Sequence, residues 1–335
     1  MSPIRVGIIG CGNIAHSHVL RMSRLEEVRI VALADPGAGS RAFLKEKFGL
    51  DQVQEFDSHT DMLNDTELDA VVICSPHTLH YGHIRDSLSA GKHVLVEKPM
   101  TCSSAEAERL IALSESCGKV LQVSFQRHFL PPFLYIRSAI QDGTIGKLTS
   151  VQAALYQNWK KSQEGTWRQN PALSGGGMLM DSGSHIIDVL LWTTNLTPQS
   201  VTVQLECYGS PVEVDTLTSI RYDQGVIGTM TIIGYAPLQK LKETYAFIGE
   251  SGGIFYDNGV ITLHRYGEDP VLPQLPEAET DPDSSFIDAI LGRREVMVSG
   301  EYALKVVKFT EAIYEAAGYQ PGPADRTDLE RKVSS

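Results

Sequence analysis

The stretch Val6-Gly7-Ile8-Ile9-Gly10-Cys11-Gly12-Asn13-Ile14-Ala15 decides the fold. Its apolar start reads as a strand buried on both faces, and a helix-like segment over 14–25 follows a turn that carries two glycines. Gly10 permits the tight turn and Gly12 leaves bare backbone for a close approach. Asn13, Ile14 and Ala15 open the helix, whose unpaired N–H groups and positive dipole end suit a pyrophosphate. Asp35 closes the next strand-like run, Arg29-Ile30-Val31-Ala32-Leu33-Ala34, twenty residues beyond Ala15, where a carboxylate that accepts from ribose hydroxyls belongs. The plainer alternative is a tight turn with Asp35 as an N-cap; the strand-turn-helix context favours a dinucleotide fingerprint. Such a carboxylate favours NAD, since it repels a 2′-phosphate. Pro36 follows it rather than an arginine, and Arg41 is the one nearby cation that leaves NADP possible.

Working outward, helix patterns near 41–48, 80–90 and 105–117 alternate with strand runs at 69–74, 93–96 and 120–123. Strands alternating with helices of this length mean βαβ units and a doubly wound parallel sheet. Residues 1–124 are therefore expected to form an α/β dinucleotide-binding Rossmann domain. Beyond Phe125 the segments alternate over longer runs, at 148–153, 201–205 and 226–233, with hairpin signals at Asp223-Gln224-Gly225 and Asp257-Asn258-Gly259. Helical patterns at 181–192 and 302–317 would cover one face, and 270–283 reads as a polar loop. Residues 125–335 are expected to form an α+β domain with a largely antiparallel open sheet, for substrate binding and oligomerisation.

Composition narrows the partners. A chain of 335 residues with 42% hydrophobic and 21% charged residues is globular in kind. Its 29 basic residues against 41 acidic ones leave a net charge of −12, which repels nucleic acid and anionic lipid. Five cysteines without a C-x-x-C pair suggest neither a disulfide framework nor a zinc knuckle, and no apolar run has the length of a membrane span. With no signal-like start, the expectation is a cytoplasmic protein that uses no metal. His77, His80 and His83, spaced by three, lack the acidic or thiolate partner of a metal site.

Three further segments carry chemistry. Glu97-Lys98-Pro99 ends the strand at 93–96, and ligands bind at the carboxyl ends of parallel strands. Pro99 restricts Lys98 to extended geometry and allows a cis bond. Gly175-Gly176-Gly177 leads into Asp181-Ser182-Gly183-Ser184-His185-Ile186-Ile187-Asp188; if Asp181 opens a helix, His185 and Asp188 share its face. The alternative there is an N-capping Asp181 and a core histidine. Tyr156, Gln157, Asn158, Trp159, Trp167, Arg168, Gln169 and Asn170 flank the glycine run and mix apolar ring faces with donors and acceptors, as a sugar requires.

Together these pieces resemble the Gfo/Idh/MocA family of NAD(P)-dependent oxidoreductases over nearly the whole chain. The matching residues are 10–15, Asp35, Ser75-Pro76-His77-Thr78-Leu79-His80, residues 90–99 including Glu97 and Lys98, Arg127, Trp167-Arg168, and 175–188. The resemblance implies that Ser75, Pro76, His77, His80 and Glu97 lie along the cofactor with the fingerprint residues, that Lys98 meets substrate beside the nicotinamide, and that Asp181 and His185 line the substrate pocket, the histidine as acid/base. Arg127 joins that pocket by the same match. His77 departs from the family, where many members have asparagine. The function expected is hydride transfer between NAD(P) and a secondary alcohol or ketone of a sugar, sugar derivative or cyclitol, by a homodimer or homotetramer joined through the C-terminal sheet. Two alternatives share the fold: an NAD-dependent glycosidase that oxidises, eliminates and reduces again, and a non-catalytic nucleotide-sensing regulator.

Overall fold

Residues 2–322 are described by a computed structural model. The described residues form two compact units, one of residues 2–125 with Thr280–Val307, the other of Gln126–Glu279 with residues 308–322.

In the first unit, β1 (Ile4–Ile9), β2 (Val28–Ala34), β3 (Gln54–Phe56), β4 (Ala70–Ile73), β5 (His93–Glu97) and β6 (Leu121–Ser124) make a sheet in the order β3-β2-β1-β4-β5-β6. Every adjacent pair is parallel. Between the strands run α1 (Asn13–Met22), α2 (Ala38–Phe48), α3 (His59–Asp65), α4 (His80–Ser89) and α5 (Ser104–Cys117). Helices on both faces explain why Val6, Ile8, Val71, Val72, Val94 and Leu95 are all fully buried. The strand order reverses between β1 and β4, the topological switch point at whose carboxyl ends ligands bind. β3 and α3 carry too few residues to leave a periodic signal, and α3 starts instead from its cap: the Ser58 hydroxyl accepts the Asp61 N–H at 3.1 Å.

The second unit begins with α6 (Pro131–Gln141), followed by β7 (Leu148–Tyr156), the single-turn α7 (Trp159–Ser162) and α8 (Pro171–Ser174), and α9 (Ser184–Thr194). Then come β8 (Pro198–Glu206), β9 (Asp215–Tyr222), β10 (Ile227–Ile233), β11 (Lys242–Gly249), β12 (Gly252–Asp257) and β13 (Val260–Arg265). The seven strands are ordered β13-β12-β11-β7-β10-β9-β8, antiparallel except for the β7–β10 pair. The expected turns join β9 to β10 and β12 to β13, and Asn258 (φ 46°) and Gly259 (φ 99°) both take the left-handed conformations that a tight hairpin needs. Strand alternation turns Val151, Ala153, Leu155, Met230, Ile232, Tyr245 and Phe247 to the covered face, where they are buried.

The chain then returns to the first unit through α10 (Pro282–Ile290) and the first part of α11 (Gly300–Ala316). Asp281 caps α10 by accepting the N–H groups of Asp283 and Ser284 at 2.9 and 3.0 Å, with Pro282 at the first helical position. Phe286 and Ile287 enter the core beside Val19, Met22, Leu33 and Leu95. The sequence reading stopped the polar loop at 283 and held no signal for this return, which is a matter of tertiary packing.

Candidate active site

Gly10 adopts φ +88°, and a Cβ there would lie 2.7 Å from both the Cys74 carbonyl carbon and the Ser75 nitrogen. The turn after β1 thus rests main chain to main chain on the turn after β4. A Cβ on Gly12 would meet nothing within 4 Å, and no side chain caps α1. Open space over a helix N-terminus is what a pyrophosphate requires. Asp35 is held at this turn: Oδ2 accepts the Cys11 N–H at 2.8 Å and Oδ1 the Gly37 N–H at 2.7 Å. Arg41, the cation that left NADP possible, donates to the Asp35 carbonyl oxygen and to Asp57 at 2.8 Å, with Nε 3.6 Å from Glu55. These residues fit a dinucleotide whose ribose keeps both hydroxyls.

Beyond β4, Pro76 precedes a short turn over His77–Leu79, with His77 buried. His80 is also buried, with Nε2 2.8 Å from the Ser75 carbonyl oxygen and Nδ1 2.7 Å from that of Pro99; burial lowers its pKa, so the neutral ring donates to one of them and packs this turn against the one after β5. His83 Nδ1 lies 2.9 Å from Ser75 Oγ. His80 and His83 thus meet the loop after β4, and among the described residues no group of three or more His, Cys, Asp or Glu is arranged to hold a metal ion. Glu97 ends β5 in register with Ser124, and the Lys98–Pro99 bond is cis.

In the second unit the Gly175-Gly176-Gly177 run enters a π-helical turn over Leu179–Gly183, which passes directly into α9. The helix holding His185 and Asp188 thus opens through a wider turn than an α-helix allows, a feature common at functional sites. Asp181 sits in that turn. Its Oδ2 accepts the Trp159 indole N–H at 2.9 Å and the Arg168 Nε–H at 3.0 Å. Arg168 stacks 4.5 Å from the Trp167 ring centroid, and Ser182 donates to Gln157 Oε1 at 3.0 Å. Trp159, Trp167, Arg168 and Asp181 are thus brought together, with His185 at the start of the next turn. Asp188 turns elsewhere, 2.7 Å from Nε2 of His128, whose ring stacks on Trp192 at 4.0 Å.

Two residues chosen from the sequence stand apart from this group. Arg127 spends Nε and Nη2 on Glu243 at 3.0 and 2.7 Å, and Glu243 also accepts from the Tyr245 hydroxyl at 2.7 Å. Tyr156 shares the strand parity of Ser150, Gln152 and Ala154, the uncovered face of the sheet, whereas its neighbour Gln157 meets Ser182.

The sequence reading missed Glu213. This fully buried carboxyl accepts the N–H groups of Gly177 and Leu179 and the Tyr314 hydroxyl, and so shapes the glycine run from beneath. A Cβ on Gly177 would lie 1.9 Å from the Glu213 carbonyl oxygen, which explains the glycine. Burial pushes the Glu213 carboxyl up to about 7, against the pull of hydrogen bonds from Tyr314 and Gly177. A carboxyl so raised adds stability that is fully present below the ordinary glutamate range and is lost as pH rises through about 7. Urea unfolding should therefore show wild-type stability falling relative to Glu213→Gln over that window, by roughly 3 kcal/mol. Parallel pH profiles would contradict the neutral carboxyl.

Residues 4–125 match the oxidoreductase family with an NAD-binding Rossmann fold, and residues 133–255 match the Gfo/Idh/MocA C-terminal domain. The D-glucoside 3-dehydrogenase of Escherichia coli is 25% identical over 94% of this chain and 96% of its own. A scyllo-inositol 2-dehydrogenase (NADP(+)) of Bacillus subtilis is 29% identical over 94% and 87%. Among solved structures, a levoglucosan dehydrogenase in complex with NADH has a TM-score of 0.85 at 20% identity, covering 95% of this chain and 97% of that one. The WlbA dehydrogenase of Bordetella pertussis, in complex with NADH and UDP-GlcNAcA, has a TM-score of 0.85 at 23% identity and covers 97% and 99%. These two likenesses are of fold. The parallel sheet with its fingerprint turn and the mixed sheet that follows it match the family's two domains in turn, and the chain belongs to the Gfo/Idh/MocA family of NAD-binding oxidoreductases.

Proposed function

We propose that this enzyme oxidises a secondary alcohol on a sugar, sugar derivative or cyclitol with NAD, or runs the reverse reduction. The observation that carries the reading is the Asp181 carboxylate, gripped by Trp159 and Arg168 in the turn before His185. The half-buried Trp167 ring, the Arg168 guanidinium and the Asp181 carboxylate, with His185 four residues on, suit a polyhydroxylated ring, whereas the wholly buried Trp159 serves through its indole N–H. The relatives named as glucoside and inositol dehydrogenases support the same substrate class.

Bound NAD supplies the hydride acceptor. Gly10, Gly12 and the α1 N-terminus would hold its pyrophosphate and Asp35 its ribose, with Ser75, Pro76 and His77 along the turn beside them. Lys98 donates a charged hydrogen bond to the alcohol oxygen as negative charge develops there. His185 takes the proton as general base, with Asp181 orienting substrate and imidazole. The five cysteines, present as thiols, suit the reducing cytoplasm.

The uncovered face of the second unit's sheet exposes Leu217, Ile227, Phe255 and Val260, which share strand parity. We assign this face to a homo-oligomer, since such faces are seldom left in water. Light scattering should report a dimer or tetramer that Ile227→Lys weakens; a monomer at micromolar concentration would sink the assignment.

Cofactor choice follows from Asp35 and from the acidic partners that occupy Arg41. Initial rates should give a kcat/KM for NAD at least about tenfold above that for NADP, a difference of about 1.4 kcal/mol. A preference for NADP would refute the role given to Asp35.

The function itself is tested by scanning glucose, glucosides and inositol isomers for reduced nicotinamide. With the best substrate, Lys98→Met should lower kcat by about 10²–10³ while NAD affinity stays. His185→Asn should lower turnover by about 10²–10⁴ and abolish the acid limb of kcat/KM, which in the wild type reports imidazole protonation. Unchanged turnover in both variants would overturn the mechanism, and glycoside cleavage without net reduced nicotinamide would replace it with transient oxidation.

A further inference from the structure

One imidazole in the first unit is clamped between two carboxylates. His18, on α1, places Nδ1 2.7 Å from Asp283 Oδ1 on α10 and Nε2 3.0 Å from Glu97 Oε1 at the end of β5. The side chains of His18 and Asp283 are wholly buried and that of Glu97 is 13% exposed. Both partners are acceptors, so both contacts are hydrogen bonds only when both ring nitrogens carry protons. Arg21 donates to the other oxygen of Asp283. Two cations thus meet two carboxylates, the one arrangement in which buried charges of this kind are tolerated.

Burial disfavours the charged ring, but Asp283 and then Glu97 outweigh it and push the His18 imidazole up to about 9. Burial likewise works against the Glu97 carboxylate, while His18, Lys98 and Ser124 hold it ionised below the usual glutamate range. Arg21 Nη2 also lies 3.4 Å from His18 Nδ1, and Arg21 Nε lies 3.6 Å from Asp281. The Cys74 thiol, near Glu97 and Asp283, is kept protonated by burial.

Glu97 is the residue before Lys98, whose charge helps to hold the carboxylate ionised. We propose that His18 is a positioning residue for the reaction: by gripping Glu97 against Asp283 it fixes the carboxyl end of β5, from which Lys98 follows. The inference rests on the reading of Lys98 as the group that meets the substrate oxygen.

The test has a spectroscopic arm and a kinetic arm. In protein labelled with ¹⁵N-histidine, His18 should be the slowly exchanging imidazole with both nitrogens protonated at about pH 8, where an ordinary histidine of pKa ~6.5 is neutral. A singly protonated His18 at that pH overturns the proposal without any substrate. His18→Gln keeps a donor and an acceptor but loses the charge, so kcat should fall on the order of 10²-fold, the scale of a small misplacement, with KM for NAD unchanged. Loss of the His18 proton should give kcat an alkaline limb, and Asp283→Asn, which keeps an acceptor but loses the charge, should move that limb to lower pH. If His18→Gln does not fold, the labelled wild type and the Asp283→Asn profile decide. A purely structural role would lower Tm in both variants yet leave kcat and the limb of the folded enzyme in place, and that result also overturns the proposal. Lys98→Met tells the two failures apart: full turnover there removes the reading beneath, whereas loss there with an unaltered His18→Gln removes this proposal alone.

Discussion

Two turns of main chain meet at Gly10, and the first unit is organised around that contact. A side chain at this position would collide with the backbone of Cys74 and Ser75, so the turns after β1 and β4 approach more closely than any other residue would permit. The contact sits where the strand order reverses. From it follow the open helix end over Gly12, the carboxylate of Asp35 held by the Cys11 and Gly37 N–H groups, and the loop of Ser75 that His80 ties to Pro99. Lys98 stands next to Pro99, so the carboxyl end of β5 is braced by the turn after β4.

Four buried carboxylates show how partners decide a group's use. Glu243 meets the fork of Arg127 and is consumed in structure. Asp283 shares His18 and Arg21. Asp181 meets Arg168 and an indole N–H. Glu213 has hydroxyl and N–H donors but no cation among its hydrogen bonds, and burial therefore keeps it neutral through most of the acid range.

The first unit was readable because its signals are local. The apolar run of β1, the glycines and Asp35 lie within one βαβ unit, and the strands at 69–74 and 93–96 are buried on both faces and so continuously apolar. The hairpins at Asp223 and Asn258 were readable because left-handed backbone needs particular residues. Long-range contacts left no such trace. The return of Thr280–Val307 to the first unit depends on Phe286 and Ile287 finding a core some two hundred and fifty residues earlier in the chain. Neither Glu213 nor His18 belongs to a motif, and the partners that give them meaning lie far away in sequence. Tyr156 illustrates the opposite limit: its residue type suited a sugar, but strand parity sends it to the other face.

The central claim is direct hydride transfer from a carbinol carbon to NAD, served by Lys98 and His185. It is tested most directly by supplying the sugar or cyclitol that turns over with deuterium on the reacting carbon and following the label by mass spectrometry. One deuterium per turnover should appear on the reduced nicotinamide, and the oxidised product should lack it. Deuterium that stays with the product or exchanges into water, with no labelled nicotinamide, would contradict the account.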